Sequence, residues 1–336
     1  MAVDRLLAER AANGESIAVR DQAIWRGILA TGALLTLSLL AATLIATTAP
    51  FFWAGDLAVH FRVQYAGLAL VGFILLLIAR APAWAALALA VAAVNAMSAS
   101  PWLITRPVSL PPSEGEPLRV RVASINVLYA NNNFGEVAEF IRRERPDAVT
   151  LVEMNPEWRR GLAELARDYP HRYDTQGRRG RGVTFLSRHP MKDVSVLPIG
   201  AAVEPAIRAT LQVHGRELHV FSIHTAWPMW PGSAGRRNEQ LSRLAGFASG
   251  VGGPLVVIGD LNVSPYSPHF EALLSAGKLR SAASGFGWQP TWPAFMPPAG
   301  IQIDHALVNA GVTVERFRRG PPNGSDHTPI LADLVL

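Results

Sequence analysis

Between Gly27 and Ala49 the chain carries no charged side chain. A helix rises about 1.5 Å per residue, so these roughly 23 residues reach across a hydrocarbon core. A second uncharged run, Val63–Ala79, has about 17 residues, the short end of the spanning range, and Phe61 can extend it. Arg80 interrupts, and a third run follows from Ala81 to Thr105. Pro82 suits a first helical turn, and Pro101 marks the expected end of that helix. Hydrophobic residues make up 49 % of the chain, and their excess lies almost wholly before Arg106. Three such runs with almost no polar face read as three transmembrane helices rather than core helices of a soluble protein. The first run starts too late and is too long for the apolar region of a signal peptide.

Orientation follows from Lys and Arg in the short flanks. Arg5, Arg10, Arg20 and Arg26 precede the first run, while the two loops hold only Arg62 and Arg80. This places the N-terminus in the cytoplasm. Three crossings then place the chain after Thr105 outside an inner (plasma) membrane, in a periplasm or extracellular space; an even number would reverse that. Residues Arg106–Pro117 contain four prolines with Ser, Gly and Glu, the composition of a stiff tether. The expected organisation is a cytoplasmic tail over 1–26, a membrane anchor over 27–105, a tether over 106–117 and an α/β domain over 118–336.

The absence of cysteine excludes disulfides, thiolate zinc sites and a cysteine nucleophile. From Ser113 onward there are 24 Lys and Arg against 21 Asp and Glu. That near-balance reads as a mixed solvated surface, weaker than the basic footprint of most nucleic-acid binders.

Alternation predicts strands over Leu118–Val127, Ala148–Glu153, Gly182–Ser187, Ala206–Val213, Glu217–Ile223, Leu255–Gly259, Ile303–Val308, Val312–Phe317 and Thr328–Leu334. Helical spacing predicts helices over Phe134–Arg145, Pro156–Tyr169, Arg237–Ser249 and Pro268–Ala276. Strands and helices mixed in this way fit two packed sheets with helices outside.

The polar residues that carry chemistry stand where apolar strands stop. They are Asn126 in SINV, Glu153 in LVEMN, His224 in SIHT, Asp260 and Asn262 in GDLN, Asp304 in IDH, and Asp326 with His327 in SDH. A phosphodiester is anionic and repels hydroxide, and a hard cation on oxygen ligands screens that charge. Glu153 offers a carboxylate and Asn126 an amide oxygen. A histidine takes a proton from water when a carboxylate fixes its tautomer, and either Asp304 or Asp326 serves His327 in this way. Asp260 and Asn262 share a face of an extended segment; one binds the nucleophilic water and the other donates to a phosphoryl oxygen. Taken alone, each piece is an ordinary cap or turn.

In this order and at these intervals, the set resembles the endonuclease/exonuclease/phosphatase superfamily, the group that includes deoxyribonuclease I and sphingomyelinases. GDLN followed by the terminal SDH is the most specific part, and the match runs over residues 118–336. The resemblance implies a four-layer α/β sandwich of the DNase I-like type, here preceded by three transmembrane helices, and Mg²⁺ dependence, with Mn²⁺ or Ca²⁺ as substitutes. It also implies that Asn126 and Glu153 bind the metal with Asp326 near it, and that Asp260 positions the attacking water. Asn262 would contact the phosphoryl oxygen, the Asp304–His327 pair would handle the proton, and His224 would contact the phosphate or assist the leaving group. Arg208 in AIRATL sits where members carry an arginine that orients the metal-binding acid, and Trp292 in PTW belongs to a substrate-side loop. Leu128 stands where apurinic endonucleases have a second acid, and those enzymes usually lack a histidine at the place of His224. Both departures favour the deoxyribonuclease, sphingomyelinase and phosphatase side.

The substrate class is thinly marked. Arg178, Arg179 and Arg181 form a basic cluster able to hold phosphate. Trp227, Met229, Trp230, Trp288, Trp292, Phe295 and Met296 fall in the loops after His224 and before Asp304, where they meet lipid, stack on bases or pack a loop core. With a membrane anchor in the same chain, the reading leans toward hydrolysis of a lipid-linked or small phosphoester. A periplasmic nuclease acting on DNA or RNA is the alternative, so a nucleic-acid partner is open but not favoured. A catalytically silent binding module is the second alternative, and the intact polar set argues against it.

Overall fold

Uncharged sequence becomes helix at the N-terminal end of the chain. In the computed structural model, which describes residues 2–105, 117–177, 182–200 and 206–336, helix α1 covers Ala2–Ala46, α2 Trp53–Val59, α3 Arg62–Ile78 and α4 Pro82–Leu103. The stretch Asp21–Ala46 of α1 and the whole of α4 are each long and apolar enough to cross a membrane. Helices α2 and α3 pass that test only together, so the described residues hold two candidate spans, or three if that pair forms one. The helix after Pro82 carries on past Pro101 to Leu103. The tether up to residue 116 and the cluster Arg178, Arg179 and Arg181 lie outside the described residues.

Two compact units divide the chain: Met1–Thr47 with Phe61–Ala99, and Thr48–His60 with Ser100–Leu336. The division differs from the boundary drawn at the tether, because the short segment between the first two apolar helices belongs with the α/β unit. In the helical unit, α1 and α3 approach through small residues. A Cβ on Gly32 would come within 2.8 Å of the Leu76 side chain, and one on Gly72 within 3.2 Å of Thr36 Oγ1. Close approach of this kind is how apolar helices gain dispersion contacts where lipid removes the hydrophobic drive. Buried Asn95 donates to Thr43 Oγ1 at 2.8 Å and accepts from Arg62 Nη1 at 2.9 Å, so polar groups in this apolar surrounding satisfy one another.

The α/β unit has four layers. Its first sheet holds β1 (Arg119–Asn126), β2 (Ala148–Met154), β3 (His171–Asp174), β4 (Gly182–Ser187), β11 (Thr313–Arg319) and β12 (Ile330–Val335), in the order β11-β12-β1-β2-β4-β3. The second holds β5 (Met191–Leu197), β6 (Ala206–Val213), β7 (Arg216–His224), β8 (Leu255–Asp260), β9 (Arg280–Ser281) and β10 (Asp304–Val308), in the order β5-β6-β7-β8-β10-β9. The inner faces meet in one apolar cluster that includes Val120, Val122, Phe185, Val220, Val256, Ile258 and Ala306. The outer face of the first sheet buries Ala123, Ile125 and Leu151 with Val137 and Ile141 of α5 (Phe134–Glu144) and Trp158 of α6 (Pro156–Gly161). The outer face of the second buries Phe221, Ile223 and Val257 with Leu241 and Leu244 of α7 (Pro231–Ser249) and Phe270 of α8 (Pro268–Gly277). Strands buried on both faces read as near-continuous apolar runs, as VVI before Gly259 does.

Two helices depart from their sequence reading. The helix expected over Pro156–Tyr169 ends at Gly161 and resumes as a 3-10 turn over Ala163–Arg167. Helix α7 starts at Pro231, well before the expected Arg237, because Pro at its first position and a Ser233–Trp230 cap start it upstream of two glycines.

Candidate active site

Strand alternation delivers half of the site. On β7, β8 and β10, residues that pack the inner core alternate with residues that pack α7 and α8. The inner parity runs through Val220 to His224, through Val256 and Ile258 to Asp260, and through Val308 and Ala306 to Asp304. His224 pairs in register with Asp260, and Asp260 with Asp304, so three chemically active side chains form a row across neighbouring strands. Gly259 allows this register. A Cβ there would lie 1.8 Å from the carbonyl oxygen of Ile223, and its φ is +150°, so only glycine fits.

The first sheet delivers its residues differently. Asn126 ends β1 on the inner parity. On β2, Val149 and Leu151 face outward, and strict alternation would send Glu153 the same way. A register shift between Val152 and Met154 interrupts the ladder, and Glu153 adopts φ +64°. Met154 then packs the outer cluster, and the Glu153 carboxylate meets Asn126 Nδ2 at 3.4 Å and the Tyr129 amide at 3.2 Å. Bulges re-aim side chains beside active sites in this manner. Leu128 (φ +55°) and Asn262 (φ +47°) share the left-handed backbone, so strain clusters around the same place.

His327 arrives from the loop before β12. Its Nδ1 lies 2.8 Å from Asp304 Oδ2 and its Nε2 3.8 Å from Asp260 Oδ2. Asp260 Oδ2 also accepts from Asn126 Nδ2 at 3.0 Å and lies 3.9 Å from His224 Nε2. Asp260, Asp304 and His327 are all buried, and their ligating atoms lie within 4.8 Å of one another. Burial raises the Asp260 carboxyl, and nearby Asp304 adds to it; His327 and His224 pull the other way, leaving it at about 6. Burial opposes a charge on His327, but Asp304 and Asp260 outweigh it and push the imidazole up to about 10. Of the two carboxylates that sequence left open as its partner, Asp304 is the one bonded to it.

The other site residues divide. Asn262 is held on three sides: its amide N donates to Asp260 Oδ1 at 2.9 Å, its Nδ2 donates to the Thr225 carbonyl at 3.1 Å, and its own carbonyl accepts from Arg237 at 2.5 Å. Asp326 accepts from Trp292 Nε1 at 3.0 Å through Oδ2, while its buried Oδ1 has no hydrogen-bond partner. Arg208 lies exposed on β6 and donates to Ser195 Oγ at 3.2 Å; Glu153 instead accepts from Asn126 and Tyr129. Arg181 is outside the described residues. His305, adjacent to Asp304, faces the other way, bonded to the Val263 carbonyl at 2.8 Å, and burial lowers it to about 4.

The donor set fits a divalent cation. Asp260 and Asp304 offer hard oxygen ligands side by side, Glu153 reaches Asp260 through Asn126 Nδ2, and the orphaned Asp326 Oδ1 is the sort of buried atom a cation satisfies. Asn126 is oriented otherwise than expected. Its oxygen accepts from the Leu128 amide at 3.0 Å, and its nitrogen faces the carboxylates.

A model of the Endonuclease/Exonuclease/phosphatase family matches residues 123–327, a range that contains the whole polar set from Asn126 to His327. The chain belongs to the endonuclease/exonuclease/phosphatase family. Its fold is also that of solved members. An endonuclease/exonuclease/phosphatase from Beutenbergia cavernae is 22 % identical, with a TM-score of 0.56 over 65 % of this chain and 72 % of that one. One from Bacteroides vulgatus is 19 % identical, with a TM-score of 0.56 over 65 % and 98 %. D. rerio TDP2, solved with a single-strand DNA product, is 15 % identical, with a TM-score of 0.54 over 64 % and 98 %. No curated protein sequence matches this chain. Membership in the endonuclease/exonuclease/phosphatase family carries metal-dependent phosphoester hydrolysis as its common chemistry.

Sequence reasoning missed Arg237, Thr225 and Thr291. Thr291 Oγ1 accepts from the Ile303 and Asp304 amides at 3.1 Å and so fixes the start of β10. A buried Arg inside a helix that also carries exposed Arg236 and Arg243 has no pattern to single it out.

Proposed function

We propose that this protein is a membrane-anchored, Mg²⁺-dependent phosphoester hydrolase acting on a lipid-linked or small phosphoester. The observation that carries the reading is the buried cluster of Asp260, Asp304 and His327, with His224 in register beside Asp260 and Glu153 joined to it through Asn126. Glu153 and Asp326 would hold the cation, with Asn126 beside them. A bound divalent ion supplies charge neutralisation at the phosphoryl oxygens and lowers the pKa of water. Asp260 would orient the attacking water, hydrogen-bonded through one carboxylate oxygen. The Asp304–His327 pair would carry the proton, because Asp304 fixes the imidazole with its Nε2 toward Asp260. The Asn262 amide and His224 would meet the phosphoryl and leaving-group oxygens. Trp292 would act through Asp326, whose Oδ2 it holds.

Exposed apolar side chains support the lipid side of the reading. Trp227 and Trp230, on the loop after His224, are 61 % and 68 % exposed. Phe295, just past Trp292, is 76 % exposed, and Met229 and Met296 accompany them. Large apolar groups left in water on loops that carry site residues mark a surface that meets something apolar. The arginines before residue 27 would keep the N-terminus in the cytoplasm, and three spans would then set the catalytic unit on the opposite side.

The test uses the full-length chain in detergent with Mg²⁺, Mn²⁺ or Ca²⁺, offered phospholipid vesicles, aryl phosphate mono- and diesters, plasmid and RNA. The reading expects turnover of aryl esters and faster turnover of vesicle lipid than of plasmid. Plasmid cleavage with steep salt dependence and inert vesicles would make it a nuclease. No turnover of any of these with metal present would end the hydrolase reading.

A further inference from the structure

The segment Thr48–His60 links the first two apolar helices, yet it belongs with the α/β unit. Asp56 on α2 is 1 % exposed, and Arg237 on α7 is 0 % exposed. Arg237 Nη2 donates to Asp56 Oδ2, and Ser267 Oγ donates to Asp56 Oδ1 at 2.5 Å. The other guanidinium branch, Nη1, donates to the Asn262 carbonyl at 2.5 Å, and Nε to Asn238 Oδ1 at 2.7 Å. His60 Nδ1 lies 2.8 Å from Ser264 Oγ. The segment therefore grips the chain after Asp260 directly at Ser264 and Ser267, and at Asn262 through Arg237.

That chain needs a grip. Asn262 sits at φ +47°, a left-handed conformation that asparagine tolerates better than most residues but that still leaves its carbonyl to be satisfied by a neighbour. Arg237 is the group on its carbonyl, and a guanidinium with no water around it requires an anion. Among the described residues, Asp56 is the carboxylate that meets it.

We propose that Asp56 is a positioning residue: through the two branches of the Arg237 guanidinium it holds the Asn262 backbone, and with it the side-chain amide, in place for the reaction. The inference rests on the proposed hydrolase function, to which it adds a dependence on the segment between the first two apolar helices. A catalytic unit cut at the tether would lack Asp56 and His60 altogether.

The experiment uses full-length protein in detergent, with an aryl phosphate ester and Mg²⁺. Asp56→Asn is compared with wild type, with Asn262→Ala and with the double variant. The expected result for Asp56→Asn is a fall in kcat of about 10-fold or more with KM within about 3-fold, the signature of an interaction made in the transition state. In the Asn262→Ala background the same substitution should change kcat by less than about 2-fold, because coupled residues are non-additive. Hydrogen exchange reads the grip without any turnover: residues 259–267 should exchange about 10-fold faster in Asp56→Asn, with 119–126 unchanged. Arg237→Lys keeps a cation for Asp56 but gives up the forked reach to Asn262, and it should repeat the pattern if Asp56→Asn does not fold. Wild-type kcat together with wild-type protection at 259–267 would overturn the proposal. So would an equal fall in kcat with and without Asn262, which indicates a purely structural loss. If wild type turns over no phosphoester, the functional reading fails, while unchanged or faster exchange at 259–267 still decides the grip.

Discussion

His224, Asp260 and Asp304 reach the site on regular strands, whereas Glu153 reaches it on a bulge. In the second sheet, register and alternation suffice, and the row is as rigid as the ladder that carries it. In the first sheet, alternation points Glu153 at the helices, and a left-handed residue turns it back. A non-glycine residue held there costs about 1–3 kcal/mol. One side of the site is thus built into the fold, and the other is held by a local distortion of the strand. Substitutions on the two sides should accordingly behave in opposite ways.

The largest expected effects are on Asp260, on the regular side, and on its loop-borne neighbour His327. Asp260→Asn and His327→Ala should each lower kcat by about 10³-fold, the scale of lost acid–base chemistry, with little change in circular dichroism. Retained turnover in either variant would remove that residue from the mechanism. On the distorted side, Glu153→Gly should raise the Mg²⁺ concentration for half-maximal rate by about 10- to 100-fold. The same substitution should stabilise the metal-free protein by about 1 kcal/mol, since glycine relieves the positive φ. Asp304→Gly, in a regular strand, should destabilise it instead. Chemical denaturation of both variants compares the two sides directly, and equal destabilisation would erase the distinction.

A smaller effect concerns pH. In metal-free protein, Asp304 and Asp260 hold the His327 pKa at about 10, above its unfolded value near 6.5. The stability this pair contributes is fully present below that unfolded value and fades as pH rises through about 10. The thermal midpoint of wild type should therefore fall more steeply than that of His327→Gln between neutral pH and pH 10. An NMR titration of the imidazole should move to lower pH when Mg²⁺ is added, because a nearby cation disfavours the imidazolium. The smallest effect is Trp292→Phe, which frees Asp326 Oδ2 and should lower kcat/KM by about 5-fold, near 1 kcal/mol.

The same contrast explains what was legible before the structure. GDLN and IDH were readable because their residues follow apolar strands whose period carries straight into the site, and the predicted bounds Gly182–Ser187 and Ala206–Val213 match β4 and β6 residue for residue. Asn126, Glu153 and His327 were readable as polar residues where apolar strands stop, and the order and spacing that resemble the family tied them into one set, although nothing local announces a bulge at Glu153. Strand β5, with exposed Lys192 and Asp193 and a register shift of its own, has no clean alternation to find. Helix α2 was hidden for a different reason. Seven residues between apolar helices look like a loop, and the partner that makes Asp56 meaningful lies 181 residues away.

The central claim is that side chains from both sheets bind one divalent ion. Mn²⁺ binding to the full-length protein, followed by electron paramagnetic resonance, tests it most directly. One tight site in wild type, weakened by about 10-fold or more in Glu153→Ala and in Asp326→Ala, is the predicted result. Wild-type Mn²⁺ affinity in both variants would contradict it.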